Sequence, residues 1–403
     1  MIQQWDDKMK DLQKITGFMG GLTPSATLAI TAKAKALKAD GVDVCSMAAG
    51  EPDFDTPRPI KDACIRALND GKVYYTPASG LPELRKAVAR KFTEENGIAC
   101  TFEQTVVAPG AKFSVFSAIA ALCGPGDEVI IPAPYWLSYP EMVRAAGASV
   151  VTVKTAPEDN FELDAAKLEA AVTERTKLLI LTTPSNPTGA VYSRKRLEEI
   201  AAVAVKHNFM VLADEIYEKL VYDADKPHIS IASLSDAIRE RTVTVNGFSK
   251  TYSMTGWRVG YLTAPLWLAK RIIAFQSHTT SNVTTFAQYG ALAALQGCAK
   301  AEVETMRQAF AARRDLIYKL VGAIPGVKCL RPQGAFYLLC DISAFGLSSD
   351  EFCTRLLEEA KLAVIPCAAF GAEGMIRLSY ACSEDNIRKA AERLAAFTAK
   401  LSR

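Results

Sequence analysis

Between residues 105 and 264 two kinds of segment alternate, and this alternation restricts the fold more than any other feature of the chain. Short β-branched or aliphatic runs read as strands: TVVAP (105–109), DEVIIP (127–132), KLLILTT (177–183), FMVLAD (209–214), VTVNGF (243–248) and VGYLTA (259–264). Apolar or amphipathic stretches of helical length, such as FSVFSAIAALC and RKRLEEIAAVAVKHN, separate several of them. Strands buried on both faces and joined through helices form a mainly parallel, doubly covered sheet, so an α/β fold is expected. The ends of the chain differ. Residues 27–40 look helical, and the last hundred residues alternate long helices with short strands such as GAFYLLC and MIRLSYA. The 403 residues suffice for about two to three domain-sized cores. The expected division is an arm over 1–21, a small domain from 22–52 and 305–403, and a large domain over 53–304.

Several function classes are disfavoured at once. The 47 basic and 44 acidic side chains are interspersed and leave a net charge of only +3, which predicts neither nucleic acid nor an acidic membrane as partner. No uncharged run approaches the roughly 18 residues of a membrane span. The N-terminus, MIQQWDDKMKDLQK, is charged and lacks the apolar core of a secretion signal. Ten cysteines without a CxxC pair read as reduced, mostly buried thiols, so a cytoplasmic location is expected. Neither GxGxxG nor GxxxxGK[ST] occurs, which argues against a nicotinamide-dependent reductase and a P-loop nucleotidase. His207, His228 and His278 are dispersed without metal-ligand spacing; none receives a catalytic role and no metal is expected.

Open α/β sheets bind ligands outside the carboxyl ends of their strands, so the residues there carry the functional reading. Gly110, Ala111 and Lys112 follow the first strand and open a helix. Trp136 in APYW follows the second, and Asn186 in PSNPTG the third. Asp214 ends the fourth, and Ser249 and Lys250 follow the fifth, with Arg258 eight residues beyond. Each alone has an ordinary structural explanation: a surface lysine, a helix cap, a core tryptophan, a turn.

Together they match the needs of pyridoxal 5'-phosphate. That cofactor takes a lysine amine as Schiff-base partner and a carboxylate against its ring nitrogen. It also takes an aromatic plane for stacking and donors for its phosphate. A helix N-terminus after Gly110 supplies backbone N–H groups, Arg258 a guanidinium fork, and Ser249 a hydroxyl. A guanidinium close to Lys250 also disfavours an ammonium there.

GFSKTYSMTGWRVG resembles, position by position, the lysine signature of class I aminotransferases. The resemblance runs from about residue 22 to the C-terminus, through PSATLAIT, AAGEPDFDTP, YYTPASGLPELR, IIPAPYWLSYPEM, SNPTGAVY, ADEIYE, GAFY and RLSYA. It is similar to the branch that holds bacterial aspartate and prephenate aminotransferases. The resemblance implies the fold type I of pyridoxal-phosphate-dependent transferases. It also implies a homodimer with shared active sites.

Roles follow residue by residue from that resemblance. Lys250 would bond the cofactor and shuttle the substrate proton; Asp214 would pair with the ring nitrogen; Tyr217 and Asn186 would hydrogen-bond the ring hydroxyl. Trp136 would stack on the ring. Gly110, Ala111, Lys112, Ser249 and Arg258 would surround the phosphate, and Tyr75 would reach the phosphate of the second subunit. Arg377, with Gly50 nearby, would grip the substrate α-carboxylate.

The implied reaction moves an amino group between an amino acid, aspartate or glutamate, and a 2-oxo acid, 2-oxoglutarate or oxaloacetate. The cycle would be ping-pong. Lys112 is implied in binding the distal carboxylate, and Thr27 is associated with use of prephenate; alternatively Lys112 only neutralises phosphate and Thr27 only caps a helix. Prephenate, aromatic amino acids, or β-lysis of cysteine conjugates are the rival activities, because they share Lys250, Asp214 and Arg377. Two departures from the family pattern stand out. Phe113 replaces a glutamine after GAK, and Cys367 and Ala368 occupy a segment implied to border the substrate entrance.

Overall fold

The computed structural model describes Leu22 and residues 26–401. The N-terminal arm, including Trp5 and Phe18, therefore lies outside the described residues. Seven strands form the central sheet: β1 (Thr105–Ala108), β2 (Glu128–Ala133), β3 (Ser149–Lys154), β4 (Thr176–Thr182), β5 (Met210–Asp214), β6 (Thr242–Gly247) and β7 (Gly260–Thr263). Their order is β1-β7-β6-β5-β4-β2-β3. β7 runs antiparallel to both its neighbours, while β6, β5, β4, β2 and β3 are mutually parallel.

The six strands read from the sequence are all present; β3 was not anticipated. It pairs only with β2, and most of its residues stay partly or fully exposed. SVVTVK therefore lacks the continuous apolar run that marks a strand buried on both faces.

Period-two alternation sends side chains to both sides of the sheet. Leu178 and Ile180 of β4 join one apolar cluster with Val129, Ile131, Leu212 and Val243. Leu179 and Leu181 of the same strand join another with Ile130, Val211 and Ala213. Helix α2 (Ala111–Leu122) covers the first face and the helix Arg194–His207 the second.

A second, four-stranded antiparallel sheet lies in the C-terminal part. It contains β8 (Lys328–Cys329), β9 (Tyr337–Asp341), β10 (Ile365–Pro366) and β11 (Met375–Ser379), in the order β10-β11-β9-β8. Its core includes Phe310, Phe336, Phe352, Leu394 and Phe397. Residues 45–46 pair in parallel with 362–363, so the start of the chain joins its end. Helix α1 (Ala26–Ala39) packs there through Ala34 and Ile30.

Five parallel strands, β1, β2, β4, β5 and β6, thus present their carboxyl ends at one edge. Arg377, on β11 opposite Leu339 of β9 and Ile365 of β10, comes from the other sheet.

Candidate active site

A cavity of about 660 Å³ opens at that edge. Twelve of the fourteen residues singled out in the sequence line it: Gly50, Ala111, Lys112, Trp136, Asn186, Asp214, Tyr217, Ser249, Lys250, Arg258, Arg377 and Thr27. Gly110 and Tyr75 do not.

Asp214 ends β5 and is 4% exposed. Its Oδ2 accepts from the Tyr139 hydroxyl at 2.8 Å, and its Oδ1 from the Ile216 amide at 3.2 Å. Even so, burial pushes its carboxyl up to about 6. A buried carboxylate held this way fits a cationic ring nitrogen set against it. Tyr139, which also meets the Thr182 hydroxyl at 2.7 Å, was not singled out in the sequence. The signal for it was its position three residues after Trp136, at the start of a helix; the two rings meet edge to face at 5.3 Å.

Lys250 follows β6, and its Nζ donates to the Gly50 carbonyl. Burial, reinforced by Arg377 and Arg258, brings its ammonium down to about 8, against the opposing pull of Glu51 and Asp214. Tyr217 lies on the same wall. Its hydroxyl is 2.9 Å from that of Tyr337, a cavity residue on β9 that sequence reasoning missed because only the second sheet brings it here.

The helix entry after β1 is built by close approach. Gly110 has φ +82, and a β-carbon there would lie 2.4 Å from an Arg258 guanidinium nitrogen. A β-carbon on Gly260 would fall 2.3 Å from the Ala111 amide nitrogen. Gly110 therefore serves as the seat on which Arg258 rests, behind the cavity wall. Arg258 itself is in the left-handed region at φ +54, exposed, and donates to the Thr255 carbonyl at 2.8 Å. Lys112 stands over the Trp136 ring at 4.8 Å. This cradle of helix N–H groups, guanidinium and ammonium fits a phosphate.

Arg377 is 2% exposed. Its Nη1 donates to Asn186 Oδ1 at 2.9 Å and its Nη2 to the Ala48 carbonyl at 3.4 Å, while Nε has no partner. The guanidinium also lies 4.3 Å from the Tyr337 ring centroid. Among the described residues Arg377 makes no ion pair, and neither do Lys112, Lys250 or Arg258. A buried cation without a counter-charge is costly, so the site suits an incoming carboxylate.

Tyr75 is 90% exposed, and its neighbours Tyr74 and Val73 are 81% and 56% exposed. It does not enter the cavity of its own chain. Cys367, expected near the entrance, is instead fully buried against Phe370, and neither it nor Ala368 lines the cavity. Phe113 gains an explanation: its ring stacks on Phe275 at 6.1 Å, and Phe116 meets Phe275 edge on. A glutamine there would forgo that packing.

The histidines behave less simply than their spacing suggested. His228 Nε2 lies 3.0 Å from Glu215, and with Glu218 these residues bring possible metal-ligating atoms within 4.8 Å of one another. Lys91 already pairs with Glu218, however, and the Asn96 amide donates to Glu218 at 2.7 Å and to Glu215 at 3.3 Å. The cluster anchors the far side of the turn that carries Asp214 and Tyr217.

The family profile described as aminotransferase class I and II matches residues 42–394. The chain is 45% identical to an aspartate aminotransferase of Bacillus subtilis strain 168, over 96% of this chain and 100% of that one. It is 47% identical to an aspartate/prephenate aminotransferase of Thermus thermophilus, over 93% of this chain and 96% of that one. The solved structure of the Thermus thermophilus aspartate aminotransferase with maleate superposes with a TM-score of 0.92 at 46% identity, covering 95% of this chain and 99% of the other.

Proposed function

The chain belongs to the class I and II aminotransferases, and we propose that it is a pyridoxal-phosphate-dependent transaminase of the aspartate type. It has the fold of type I pyridoxal-phosphate-dependent transferases. The reaction moves an amino group between aspartate or glutamate and 2-oxoglutarate or oxaloacetate, in two half-reactions. One observation carries the reading: the buried, uncompensated Arg377 faces the same cavity as Lys250 and Asp214.

When bound, the cofactor's ring draws electrons from the substrate Cα and so acidifies its proton. The chain's own residues do the rest. Asp214 holds a negative charge in a dry setting, where it keeps a ring nitrogen protonated. Lys250 would tether the cofactor while no substrate is bound, and with the substrate amine in its place its freed Nζ would take the α-proton and return one. Arg377 receives the α-carboxylate as a fork, with its Nη1 held by Asn186 and with Gly50 nearby. Asn186 and Tyr217 offer hydrogen bonds to the ring hydroxyl, and Trp136 offers a face for stacking. Ala111, Lys112, Ser249 and Arg258 would take the phosphate, with Gly110 behind them as the seat of Arg258.

Substrate choice rests on Lys112 and Thr27, both at the cavity wall. Lys112 is free to meet a distal carboxylate. Thr27, on helix α1, also lines the cavity, and prephenate as a further amino acceptor is supported by the name of the Thermus thermophilus relative.

The working unit is a homodimer. Ile65, Leu68, Val73, Tyr74 and Tyr75 are large, exposed and apolar or aromatic, and Tyr75 completes the phosphate pocket of the second subunit. The small domain of 22–52 and 305–403 and the large domain of 53–304 are the structural units, supported by the separate apolar clusters beneath the two sheets. No helix among the described residues is long and apolar enough to cross a membrane, and we place the enzyme in the cytoplasm.

The test is a single-turnover half-reaction with aspartate, glutamate, phenylalanine, alanine and cysteine in turn, following the absorbance of bound cofactor. Fast conversion by the two dicarboxylates supports the reading. Preference for phenylalanine moves the specificity to aromatic substrates, and release of pyruvate and ammonia without an acceptor oxo acid reveals a β-lyase.

A further inference from the structure

Tyr75 projects from an irregular segment, yet the backbone beneath it is fastened at several points. Thr285 Oγ1 donates to the Tyr74 carbonyl at 2.6 Å. Gln288 Nε2 donates to Thr76 Oγ1 at 3.0 Å and to the Val283 carbonyl at 2.8 Å, while Gln288 Oε1 accepts from the Leu81 amide at 2.8 Å. Gln276 Nε2 donates to the Ala78 carbonyl and, at 2.8 Å, to that of Val107 on β1. The Val107 amide in turn donates to the Ser79 carbonyl at 2.9 Å.

Gln276 and Gln288 are completely buried, and Thr285 is 8% exposed. Burying two primary amides is unfavourable unless their hydrogen bonds are used, and an aliphatic side chain of similar size would fill the same space without that demand. Three of the four hydrogen-bonding positions of Gln288 are used, and two of those three hold residues 76 and 81. The clamps therefore act on the loop. An exposed tyrosine on a fixed backbone is preorganised for a partner, because little of the ordering cost remains at the moment of contact.

We infer that Gln288, together with Thr285, is a positioning residue for the phosphate pocket of the second subunit, holding the backbone from which Tyr75 reaches it. The inference rests on the reading that Tyr75 meets that phosphate. Neither Gln288 nor Thr285 lines the cavity of its own chain.

The experiment titrates stripped, full-length dimer with pyridoxal phosphate and, separately, with pyridoxal, which has the same ring and aldehyde but no phosphate. The variants are Tyr75→Phe, Gln288→Leu and Thr285→Val, with dimerisation followed by sedimentation. Gln288→Leu and Thr285→Val are expected to raise the dissociation constant for pyridoxal phosphate about tenfold, the worth of one hydrogen bond, and to leave pyridoxal unchanged. Should Gln288→Leu fail to fold, Thr285→Val decides. If Tyr75→Phe is selectively weakened while both clamp variants bind like the parent, the inference is wrong and the reading of Tyr75 stands. Equal weakening of both ligands in the clamp variants also overturns it, since that marks a merely structural role. If Tyr75→Phe binds pyridoxal phosphate normally, the reading of Tyr75 fails and takes the inference with it.

Discussion

Arg377 and Asn186 are joined at 2.9 Å across two sheets: the arginine lies on β11 of the four-stranded sheet, the asparagine just beyond β4 of the seven-stranded one. The bond fixes one nitrogen of the fork and leaves the guanidinium without a carboxylate. Arg377→Lys keeps a cation but loses the fork. It is expected to lower kcat/KM for aspartate by about 100-fold, within the range for breaking a buried charge-assisted pair. Steady-state kinetics with cofactor content measured in parallel checks this; unchanged kinetics would remove Arg377 from carboxylate recognition.

Lys250 supplies two separable readouts. Lys250→Ala is expected to show no absorbance band of covalently held cofactor, and a surviving band would point to another lysine. In the cofactor-free parent protein, labelling of this amine should titrate near 8, well below an ordinary lysine, because burial disfavours its ammonium. Peptide mapping after labelling across pH 6 to 11 gives that curve.

Asp214 should be costly to the empty protein and essential to the loaded one. Its folded carboxyl titrates at about 6, above the ordinary aspartate value of 3.8. The native state therefore binds more protons than the unfolded chain between these values, and stability falls as pH rises through that window. The cost is complete above about pH 6 and absent below the unfolded value. Asp214→Asn is thus expected to stabilise the cofactor-free protein by up to about 3 kcal/mol at pH 8 and hardly at all at pH 3.5. The same variant should bind cofactor weakly and lose most turnover. Denaturant melts at the two pH values, with and without cofactor, provide the comparison; near-normal turnover would contradict the role given to Asp214.

Lys112 separates two explanations of one charge. If it meets a distal carboxylate, Lys112→Met should reduce the preference for aspartate over alanine about tenfold, the effect of one charge-assisted hydrogen bond. If it serves only the phosphate, both substrates should suffer alike and the dissociation constant of the cofactor should rise. Half-reaction rates with the two amino acids distinguish these.

Much of the site was legible because its residues sit at strand ends. In a parallel sheet all carboxyl ends meet at one edge, so Gly110, Trp136, Asn186, Asp214 and Lys250, spread over 140 positions from 110 to 250, had to converge once the strands were recognised. The motifs themselves then fixed which chemistry the convergence serves. That Gly110 must be small, because a β-carbon there would meet the Arg258 guanidinium, became visible only in three dimensions.

Tertiary structure alone decided the rest. Tyr337 carries no local signal and Tyr139 only its spacing from Trp136, since a buried hydroxyl is distinguished by what it faces: Tyr217 for Tyr337, Asp214 for Tyr139. Strand β3 hid because an edge strand need not be apolar on both faces. The burial of Cys367 and the stacking of Phe113 on Phe275 depend on packing between segments far apart in the chain. Local residue pattern determines strands, turns and the side chains they deliver to an edge. Burial, charge compensation and the fastening of the Tyr75 loop arise from distant segments in contact, and only the assembled fold brings those together.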